Sequence, residues 1–427
     1  MPNILFIARA FPPAPVIASV RCWNIAEQMR KFGWTVTVVT IDTQYWLRCS
    51  DEDIARSDRL IEKAGIIVIR TAHDFRSLPG AMHRAGYERH PVVARGIRKA
   101  AHWLGIDSGA GWMRYLRKTI GADLMRHVDL IVADGSPFSV FRFTRRLSEK
   151  YGVPYILDFR DLWHKNPLRG RRSRPWEIIE ERRCVKSASS IITVSDSTAR
   201  VLREIHGSNP DIRVITNGFA PSDFTDLLSM SLPPCALVYA GSIYPPKITL
   251  TPILKSMAYL KRMDNKTPVE LHLFGKMGAE VKEEAMLWGV ESMVIDHGHV
   301  SRSEALAAFR AARMGVVVTS IESQAQRADN GILTGKLFEI LGAGTPVLLI
   351  APQDSDAAAL VRNRGIGEQF TGDEVERIAV YLAEEMKTPK NFNTSEAVRF
   401  SWDTLGIDLN RILTQTLERD SGDQQSK

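Results

Sequence analysis

The chain has 427 residues, of which 44% are hydrophobic and 25% are charged, and its formal net charge is +7. This composition excludes a largely disordered or low-complexity protein, and the length favours two domains of about 200 residues each. The cysteines Cys22, Cys49, Cys184 and Cys235 are scattered without zinc-binding spacing, which argues against a zinc site or a disulfide framework.

The N-terminal sequence MPNILFIARAFPP has no basic segment followed by a long apolar stretch. It is therefore predicted to be a first strand and not a signal peptide. The sequence also has no run of about 18 apolar residues, so no membrane-spanning segment is predicted. Together with the cysteines, these features favour a cytoplasmic protein.

The first half of the chain alternates short β-branched runs with longer amphipathic segments, which is typical of βαβ units and a parallel sheet. The predicted strands are residues 3–8, 35–40, 65–71, 129–134, 154–159 and 190–195, and the clearest predicted helices are residues 19–32 and 138–151. The region 73–121 is basic and rich in His and Trp. We interpret it as helical excursions and loops.

The turn after the first strand, residues 8–21, contains no glycine. It lacks the GxGxxG pattern that lets a pyrophosphate approach the backbone, and the P-loop pattern is absent as well. An NAD-dependent enzyme and a P-loop ATPase are therefore disfavoured. Pro12, Pro13 and Pro15 predict a stiff loop, which could line an acceptor site or could be a simple turn.

Two segments carry much of the positive charge, residues 141–150 and residues 168–177. The second contains Arg169, Arg171, Arg172 and Arg174. Such a patch could contact anionic lipid, a phosphorylated substrate or nucleic acid, or it could be a solvated helix face. No zinc finger, basic zipper or RNP-like aromatic pattern accompanies it, so no nucleic-acid partner is predicted.

A second series of strands is predicted at residues 236–242, 269–275, 293–299, 315–320 and 346–352, with helices between them. The pattern predicts an α/β protein with two tandem Rossmann-like domains, residues 1–220 and 235–390, joined by a linker at residues 221–234. A last amphipathic helix at residues 400–418 is expected to close the first domain, and residues 419–427 are predicted to be a disordered tail. Ligands bind at the carboxyl ends of such strands, so the cleft between the domains is the expected active site.

The segment GILTGKLFEILGAGTPVLLI, residues 331–350, predicts a helix that begins at this edge of the second sheet. Thr334 is a candidate N-cap, and the helix is predicted over residues 335–341. Gly342 and Gly344 are expected to end it before a buried strand.

Lys336 and Glu339 are three positions apart and share one face of this helix, while Leu337, Phe338 and Leu341 are predicted to face inward. A helix N-terminus attracts anions, and Lys336 adds a positive charge. Glu339 could accept two hydrogen bonds from a ribose diol. The pattern therefore points to a nucleotide, although a surface ion pair worth a few tenths of a kcal/mol also fits the spacing.

The segment TGKLFEILGAGTPVLLI resembles the donor-site signature (S/P)-x-K-x-x-E-(Y/A)-x-A-x-G-x-P-V of retaining glycosyltransferases of family 4, which have the GT-B fold. Other stretches between residues 3 and 418 resemble the same family, including DLIVADGSPFSVFRFTRRLSEKYGVPYILDFRDLW, ASSIITVSDSTARVL and LVYAGSIYPPK. The resemblance implies transfer of a sugar from a nucleotide-sugar, without a metal ion or another cofactor.

Position by position, the resemblance implies that Lys336 and Lys247 bind the diphosphate and that Glu339 binds the ribose. The other residues placed in the donor site are Gly241, Ser242, Thr334, Gly335, Gly331 and Leu337. Negative charge builds up on the departing nucleoside diphosphate, and fixed cations and helix amides can stabilise it. Lys336 and Lys247 are therefore candidate catalytic residues.

Three positions depart from the family pattern. Ser242 replaces an Arg, and Gly331 replaces a Glu that contacts the sugar in relatives. Asp329 and Arg327 are close enough in sequence to substitute for that Glu. Gly342 replaces an Ala, which is expected only to shorten the helix. The first two departures leave the identity of the sugar open.

The sequence DFRD ends the predicted strand at residues 154–159 and supplies two more candidates. Arg160 and Asp161 are predicted catalytic contacts to the acceptor or the sugar, with a strand-end ion pair as the alternative. Asp134 and Arg21 are weaker candidates for acceptor binding.

The function that fits best is a cytoplasmic glycosyltransferase, with a peripheral position on the inner face of the plasma membrane, in contact with anionic lipid, as an open option. It would move a sugar from a UDP- or GDP-sugar to a glycan or polyprenyl-linked acceptor in bacterial surface polysaccharide synthesis. Two alternatives stay open. One is a nucleotide-sugar epimerase or hydrolase on the same fold, and the other is a non-catalytic nucleotide-sugar-binding subunit.

Overall fold

A computed structural model describes the chain except residues 47–48, 74–95, 97–99, 101–105, 169–172, 208–209, 264–268, 276–278, 324–326, 389–391, 393–394 and 426–427. The chain divides into two compact units. The first domain comprises Met1–Val194, Ala199–Ile215 and Gly406–Lys427, and the second domain comprises Ser195–Thr198 and Thr216–Leu405. Most of the region 73–105 and the residues Arg169, Arg171 and Arg172 lie outside the described residues.

The first domain is built on a seven-stranded sheet in the order β3-β2-β1-β4-β5-β6-β7. Its parallel strands are β1 (Asn3–Ile7), β2 (Thr35–Ile41), β3 (Ile67–Thr71), β4 (Leu130–Gly135), β5 (Tyr155–Phe159), β6 (Ser190–Thr193) and β7 (Ile212–Val214). The described helices are α1 (Ile17–Lys31), α2 (Asp51–Ala64), α3 (Met113–Thr119), α4 (Ala122–Met125), α5 (Ser139–Tyr151), α6 (Pro175–Lys186) and α7 (Asp196–His206).

The second domain is built on a six-stranded sheet in the order β10-β9-β8-β11-β12-β13. Its parallel strands are β8 (Ala236–Ala240), β9 (Glu270–Phe274), β10 (Val294–Asp296), β11 (Met314–Val318), β12 (Val347–Ile350) and β13 (Gly367–Phe370). The described helices are α8 (Thr251–Arg262), α9 (Ala279–Leu287), α10 (Arg302–Ala311), α11 (Gly335–Gly342), α12 (Asp356–Arg364) and α13 (Val375–Lys387). The last helix, α14 (Trp402–Gln425), belongs to the first domain from Gly406 onward.

The central strands of both sheets are buried because helices cover both faces of a parallel sheet. Every residue of β4 and of β8 is buried, which explains why these strands could be predicted from continuous apolar runs. The strand order reverses between β1 and β4 in the first sheet and between β8 and β11 in the second. The prediction of two Rossmann-like domains is confirmed, and each sheet has one point of reversal at which ligands commonly bind.

α14 closes the first domain, as the C-terminal helix was expected to do. The indole Nε1 of Trp34 donates to Asn410 Oδ1 at 2.7 Å. The helix continues to Gln425, so most of the predicted disordered tail, residues 419–427, is helical in the structure. The sequence ERDSGDQQ contains no proline, the residue that breaks a helix most strongly, and the helix passes through Gly422.

Two strands and one connection differ from the sequence-based expectation. β7 and β13 were not predicted, because the edge strands IRV and GEQF are short and partly polar. The predicted linker at residues 221–234 belongs to the second domain, where Phe224 is buried in the core. The turn residues and prolines of that segment resemble a linker, so the burial of Phe224 was not predicted. Among the described residues, no helix combines the length and the apolar character needed to cross a bilayer.

Candidate functional site

α11 lies close to β11 because Gly315 leaves room for Ile340. A Cβ atom at Gly315 would lie 2.6 Å from Ile340 Cδ1. Leu337, Phe338 and Leu341 are buried, so their predicted inward orientation is confirmed. This packing leaves the opposite face of α11, with Lys336 and Glu339, only partly covered.

The amino end of α11 lies next to a polar atom that has no partner. Thr334 occupies the N-cap position, but its side chain makes no capping hydrogen bond, so the predicted cap is incomplete. The buried atom Thr334 Oγ1 has no hydrogen-bond partner among the described residues. The first amides of a helix also lack partners within the helix, and this end carries the positive end of the helix dipole. The site can therefore accept an anion.

Lys336 reaches from α11 to the carboxyl end of β8. Its Nζ donates to Tyr239 Oη at 2.8 Å and to the Ser242 carbonyl oxygen at 3.4 Å. Gly241 permits this approach, because a Cβ there would lie 2.6 Å from Lys336 Cε and its φ is +112°. Burial lowers the pKa of Lys336 to about 8, although the charge of Glu339 opposes the shift. The amine is held beside the backbone at the reversal point of the second sheet.

Tyr239 fixes the position of this amine. Its buried hydroxyl donates to the Ser242 carbonyl at 2.7 Å, so the hydroxyl oxygen can accept from Lys336. The Lys336 Nζ also lies 4.0 Å from the centroid of the Tyr239 ring, within range of a cation–π interaction. Burial raises the pKa of Tyr239 well above its usual range. Sequence reasoning missed Tyr239, since a tyrosine inside a buried apolar strand looks like a core residue.

Glu339 pairs with Arg302 and not with its helix neighbour Lys336. Arg302 Nε donates to Glu339 Oε1 at 2.9 Å, and Arg302 Nη1 lies 2.9 Å from Asp223 Oδ2. The Glu339 side chain is 13% exposed. Burial raises the pKa of Glu339, while the charge of Arg302 opposes the shift. The carboxylate is therefore held in one orientation by a residue that the sequence did not single out.

Lys247, in the loop after β8, is also held by carboxylates. Its Nζ donates to Asp329 Oδ1 at 2.8 Å and to Asp329 Oδ2 at 2.9 Å, and it lies 3.5 Å from Glu322 Oε2. Burial lowers the pKa of Lys247, but the hydrogen bonds and charges of Asp329 and Glu322 outweigh it, so the net shift is upward. Asp329, considered as a substitute sugar contact, thus holds Lys247 in this structure.

Gly331 is enclosed by the segment Ser195–Thr198. Its carbonyl accepts a hydrogen bond from Ser195 Oγ at 3.0 Å. A Cβ at Gly331 would lie 2.5 Å from Thr198 Oγ1 and 3.1 Å from Thr198 N. A larger side chain at this position would require a local shift of Thr198. Gly331 can offer a ligand only its backbone.

Two glycines that the sequence analysis did not single out extend the backbone surface beside Gly241. The Gly241 amide donates to Phe274 O and the Gly275 amide donates to Gly298 O, each at 2.7 Å. A Cβ at Gly275 would lie 2.9 Å from Gly241 O. The loops after β8, β9 and β10 therefore pack backbone against backbone. The glycine that follows each of these strands is the sequence feature from which this close packing could have been predicted.

In the first domain, four predicted or adjacent charged residues form two ion pairs beneath the ends of β4 and β5. Arg21 Nε donates to Asp158 Oδ2 at 2.8 Å, and the Arg21 side chain is 2% exposed. Arg160 Nε donates to Asp134 Oδ1 at 2.6 Å. Burial raises the pKa of Asp134 to about 7, although the charge of Arg160 opposes it.

The two weaker candidates of the first domain, Arg21 and Asp134, are buried and paired with Asp158 and Arg160. Their role in acceptor binding stays a prediction, and in this structure they hold their neighbours. Arg160 is 16% exposed and Asp161 is exposed, so these two retain access to a ligand. Arg160 also donates to the Ser136 carbonyl at 3.1 Å. Across the described parts of the chain, no three His, Cys, Asp or Glu side chains form a group that could hold a metal ion.

Comparison with known families places the chain in a class. Residues 18–218 match the family described as a glycosyl transferase 4-like domain, and residues 257–389 match the family described as glycosyl transferase-like. The chain therefore belongs to the group 1 glycosyltransferases, which have the GT-B fold. No curated protein matches the sequence.

Solved structures share the fold at low sequence identity. Sucrose-phosphate synthase from Thermosynechococcus elongatus is 14% identical with a TM-score of 0.66, over 98% of this chain and 100% of that chain. The Anabaena protein HepE in complex with UDP and glucose is 15% identical with a TM-score of 0.64, over 97% and 100%. WaaG, a glycosyltransferase involved in lipopolysaccharide biosynthesis, is 14% identical with a TM-score of 0.55, over 94% of each chain.

Proposed function

We propose that this chain transfers a sugar, with retention and without a metal ion, from a UDP- or GDP-sugar to a glycan or polyprenyl-linked acceptor. The observation that carries the proposal is the position of Lys336. A partly buried amine lies beside the backbone of Gly241 and Ser242, at the amino end of α11 and at the reversal point of the second sheet. A nucleoside diphosphate is an anion suited to this combination of charge and amides. The fold neighbour HepE was solved with UDP and glucose, which supports this donor class.

In this proposal the diphosphate lies against the amide groups that open α11, and Lys336 contacts one of its phosphates. Lys247 is the second cation, held at its place by Asp329. Negative charge builds up on the diphosphate as the bond to the sugar breaks. Fixed donors stabilise such charge without reorganising, and loss of one typically costs a factor of about 10² to 10³ in rate.

The ribose is assigned to Glu339. A ribose diol offers two hydroxyl donors to a carboxylate, and Arg302 already fixes the orientation of that carboxylate. The Glu339 carboxylate would then accept hydrogen bonds from both the ribose diol and Arg302. Thr334, Gly335 and Leu337 supply the helix start that places the diphosphate beside the ribose.

The acceptor is assigned to the first domain, where Arg160 and Asp161 retain access to a ligand. Asp134 positions Arg160 from below. The acceptor hydroxyl attacks the anomeric carbon on the face from which the diphosphate leaves, and the new bond to oxygen forms as the bond to phosphate oxygen breaks. The leaving phosphate takes the hydroxyl proton, so no enzyme nucleophile is needed. The backbone at Gly331 and Ser242 bounds the space for the sugar.

Product analysis tests this proposal. The protein is incubated with UDP- and GDP-sugars, with and without glycan or polyprenyl-linked acceptors, and products are identified by mass spectrometry and by the NMR coupling of the new anomeric proton. We expect an acceptor-dependent product with the donor's anomeric configuration. Free sugar formed without acceptor would identify a hydrolase, and a nucleotide-sugar with an altered sugar would identify an epimerase. Binding of the nucleotide-sugar without turnover would identify a non-catalytic subunit.

Variants test whether the turnover depends on Lys336. Lys336→Met is expected to lower turnover about a hundredfold or more. Lys282→Met is the matched control, because Lys282 is a well exposed lysine of the same domain that pairs with Asp296. Equal effects of the two variants would contradict the assignment of Lys336.

We also infer a cytoplasmic, membrane-peripheral location, in keeping with a role in surface polysaccharide synthesis. On α6, Trp176 and Ile179 are exposed, and Arg182, Arg183 and Lys186 are exposed further along the same helix. Exposed apolar side chains next to basic ones suit an anionic bilayer surface. We predict that the protein sediments with phosphatidylglycerol vesicles but not with phosphatidylcholine vesicles, and that Trp176→Ser together with Ile179→Ser reduces sedimentation. Equal sedimentation with both lipids would contradict this inference.

A further inference from the structure

Three nitrogen donors without acceptors lie at the carboxyl ends of neighbouring strands in the first domain. They are Arg9 Nε, Trp46 Nε1 and Arg70 Nη1, and each is a buried atom with no hydrogen-bond partner among the described residues. Buried polar atoms are nearly always hydrogen-bonded, so three unpaired donors in one region call for an explanation. None of these residues belongs to the ion pairs beneath β4 and β5.

The backbone brings the three side chains together around one turn. Arg9 follows β1, and its carbonyl accepts a hydrogen bond from Thr40 Oγ1 at 3.0 Å. Thr40 is paired with Arg70 in the register of β2 and β3. Arg9 Cζ lies 5.1 Å from the ring centroid of Trp46, and Arg70 Nη2 donates to the Pro12 carbonyl at 3.0 Å. The two guanidinium groups and the indole therefore border the turn formed by residues 9–13.

The carboxylates near this turn do not satisfy the unpaired donors. Asp107 acts on Arg9 through its charge, but Asp107 Oδ1 accepts from the Gly109 amide at 3.0 Å and Oδ2 accepts from the Ser139 amide at 2.6 Å. Asp58 is 3.5 Å from Arg70 and is 60% exposed. Two arginines therefore face one well-solvated carboxylate and one that backbone amides already occupy. The turn is left with buried hydrogen-bond donors that no carboxylate satisfies.

We propose that Arg9, Arg70 and Trp46, here called the Arg9 site, bind an anionic group of the acceptor. A guanidinium fork fits a carboxylate or a phosphate with two parallel hydrogen bonds, and an indole N–H adds a third donor. That this anion belongs to the acceptor rests on the proposed glycosyl transfer, whereas the preference for an anion rests on these side chains. The anion can be a phosphate of a lipid diphosphate or the carboxylate of a uronic acid, and both present the same chemistry to the site.

The test follows the indole N–H signal of Trp46 in a proton–nitrogen correlation spectrum of the full chain. The signal is assigned by its loss in Trp46→Phe. Sodium pyrophosphate and sodium glucuronate are titrated separately, with glucose as the neutral probe and sodium chloride at matched ionic strength as the salt control. We expect a saturable shift with at least one anion and none with glucose or chloride. A shift with pyrophosphate alone would indicate an acceptor that carries a phosphate. A shift with glucuronate alone would indicate an acceptor that carries a uronic acid.

Variants link this shift to the guanidinium group. Arg9→Gln is expected to weaken anion binding about tenfold or more, because a charge-assisted bidentate contact is lost. Arg56→Gln is the control, since Arg56 lies on α2 and is 58% exposed. If Arg9→Gln does not fold, Arg9→Lys takes its place. The amine keeps the charge but cannot donate two parallel hydrogen bonds, so binding should still weaken severalfold.

The proposal is overturned if neither anion moves the Trp46 signal, or if the folded Arg9 variants bind as tightly as the wild type. UDP binding is followed on the same wild-type sample through the remaining indole signals and by calorimetry. A response of Trp46 to anions without any UDP binding would reject the proposed donor chemistry and keep the Arg9 site. UDP binding without a response of Trp46 to anions would keep the proposed donor chemistry and reject the Arg9 site.

Discussion

Lys336 illustrates how one side chain can be held ready for a ligand by groups far away in sequence. Its amine bonds to the hydroxyl of Tyr239, 97 positions away, and to the carbonyl of Ser242. These contacts keep the amine beside Gly241 in a partly buried place. Desolvation costs the charged form more than the neutral form there, so the pKa falls to about 8.

The lowered pKa predicts that UDP binds more weakly as the pH rises. Below about pH 8 the free protein carries a charged Lys336, whereas above it the amine must take up a proton when the anion binds. Phosphate groups complete their second ionisation near pH 6, so the charge of the diphosphate does not change in this range. Calorimetry from about pH 7 to pH 9 should show a rising Kd, by at most about tenfold per pH unit above pH 8. The Lys336→Met variant should bind more weakly and show no such rise, and a flat wild-type profile would contradict this explanation.

Tyr239→Phe should weaken UDP binding about tenfold, because the Lys336 ammonium loses one charge-assisted hydrogen bond that positions it. The matched control is Tyr381→Phe, another buried tyrosine of the second domain, whose hydroxyl contacts Met314 Sδ. The Kd for UDP by calorimetry and the urea midpoint of each variant separate binding from stability. If both variants change the Kd equally, Tyr239 is not a positioning residue.

At the residue scale the spacing of Lys336 and Glu339 was sufficient to predict that both lie on one face of α11, which the structure leaves partly covered. The sequence did not predict what holds them there. The partners Tyr239 and Arg302 come from other elements, and Arg302 lies 37 positions from Glu339. Such pairings depend on how the elements pack, which no local pattern encodes.

At the scale of elements, glycines decide how α11 fits its surroundings. Gly342 ends the helix and was expected only to shorten it. In the structure, a Cβ at Gly342 would lie 2.5 Å from Phe224 Cε2 and 2.7 Å from Phe219 Cγ. Gly342 is therefore also a packing residue. Of the two phenylalanines it contacts, Phe224 comes from the predicted linker at residues 221–234, and Phe219 comes from the end of the predicted first domain.

Gly342→Ala should lower the free energy of unfolding by about 1 to 3 kcal/mol, because the added methyl overpacks the contact with Phe224 and Phe219. Gly121→Ala is the control, since a Cβ at Gly121 would meet no atom within 4 Å. It should stay within about 0.5 kcal/mol of the wild type. Urea unfolding measures both. A neutral Gly342→Ala would show that α11 can shift without cost.

Most strands could be predicted from the sequence because they are buried on both faces and appear as continuous apolar runs, such as VLLI in β12. β13 could not, since GEQF lies at the edge of its sheet and only Phe370 is buried. The start of α11 was predicted correctly at Thr334, yet the expected capping bond is not formed. Local pattern thus located the elements, while their terminal contacts depended on the tertiary structure.

At the scale of the whole molecule, each sheet brings charged side chains to its own point of strand reversal. In the second domain these are Lys336 and the backbone around Gly241, and in the first domain they are Arg160 and Asp134. Helices join the parallel strands of both sheets, and this alternation of elements is why the fold class could be inferred from the sequence. The proposed assignment of the donor to the second domain and of the acceptor to the first is tested by ligand complexes.

The most direct measurement is a crystal structure of the chain in complex with UDP. We predict that the diphosphate lies at the amino end of α11, with a phosphate oxygen about 3 Å from Lys336 Nζ. The ribose hydroxyls should donate to Glu339. A nucleotide bound elsewhere, or bound while Lys336 and Glu339 point away from it, would contradict the account.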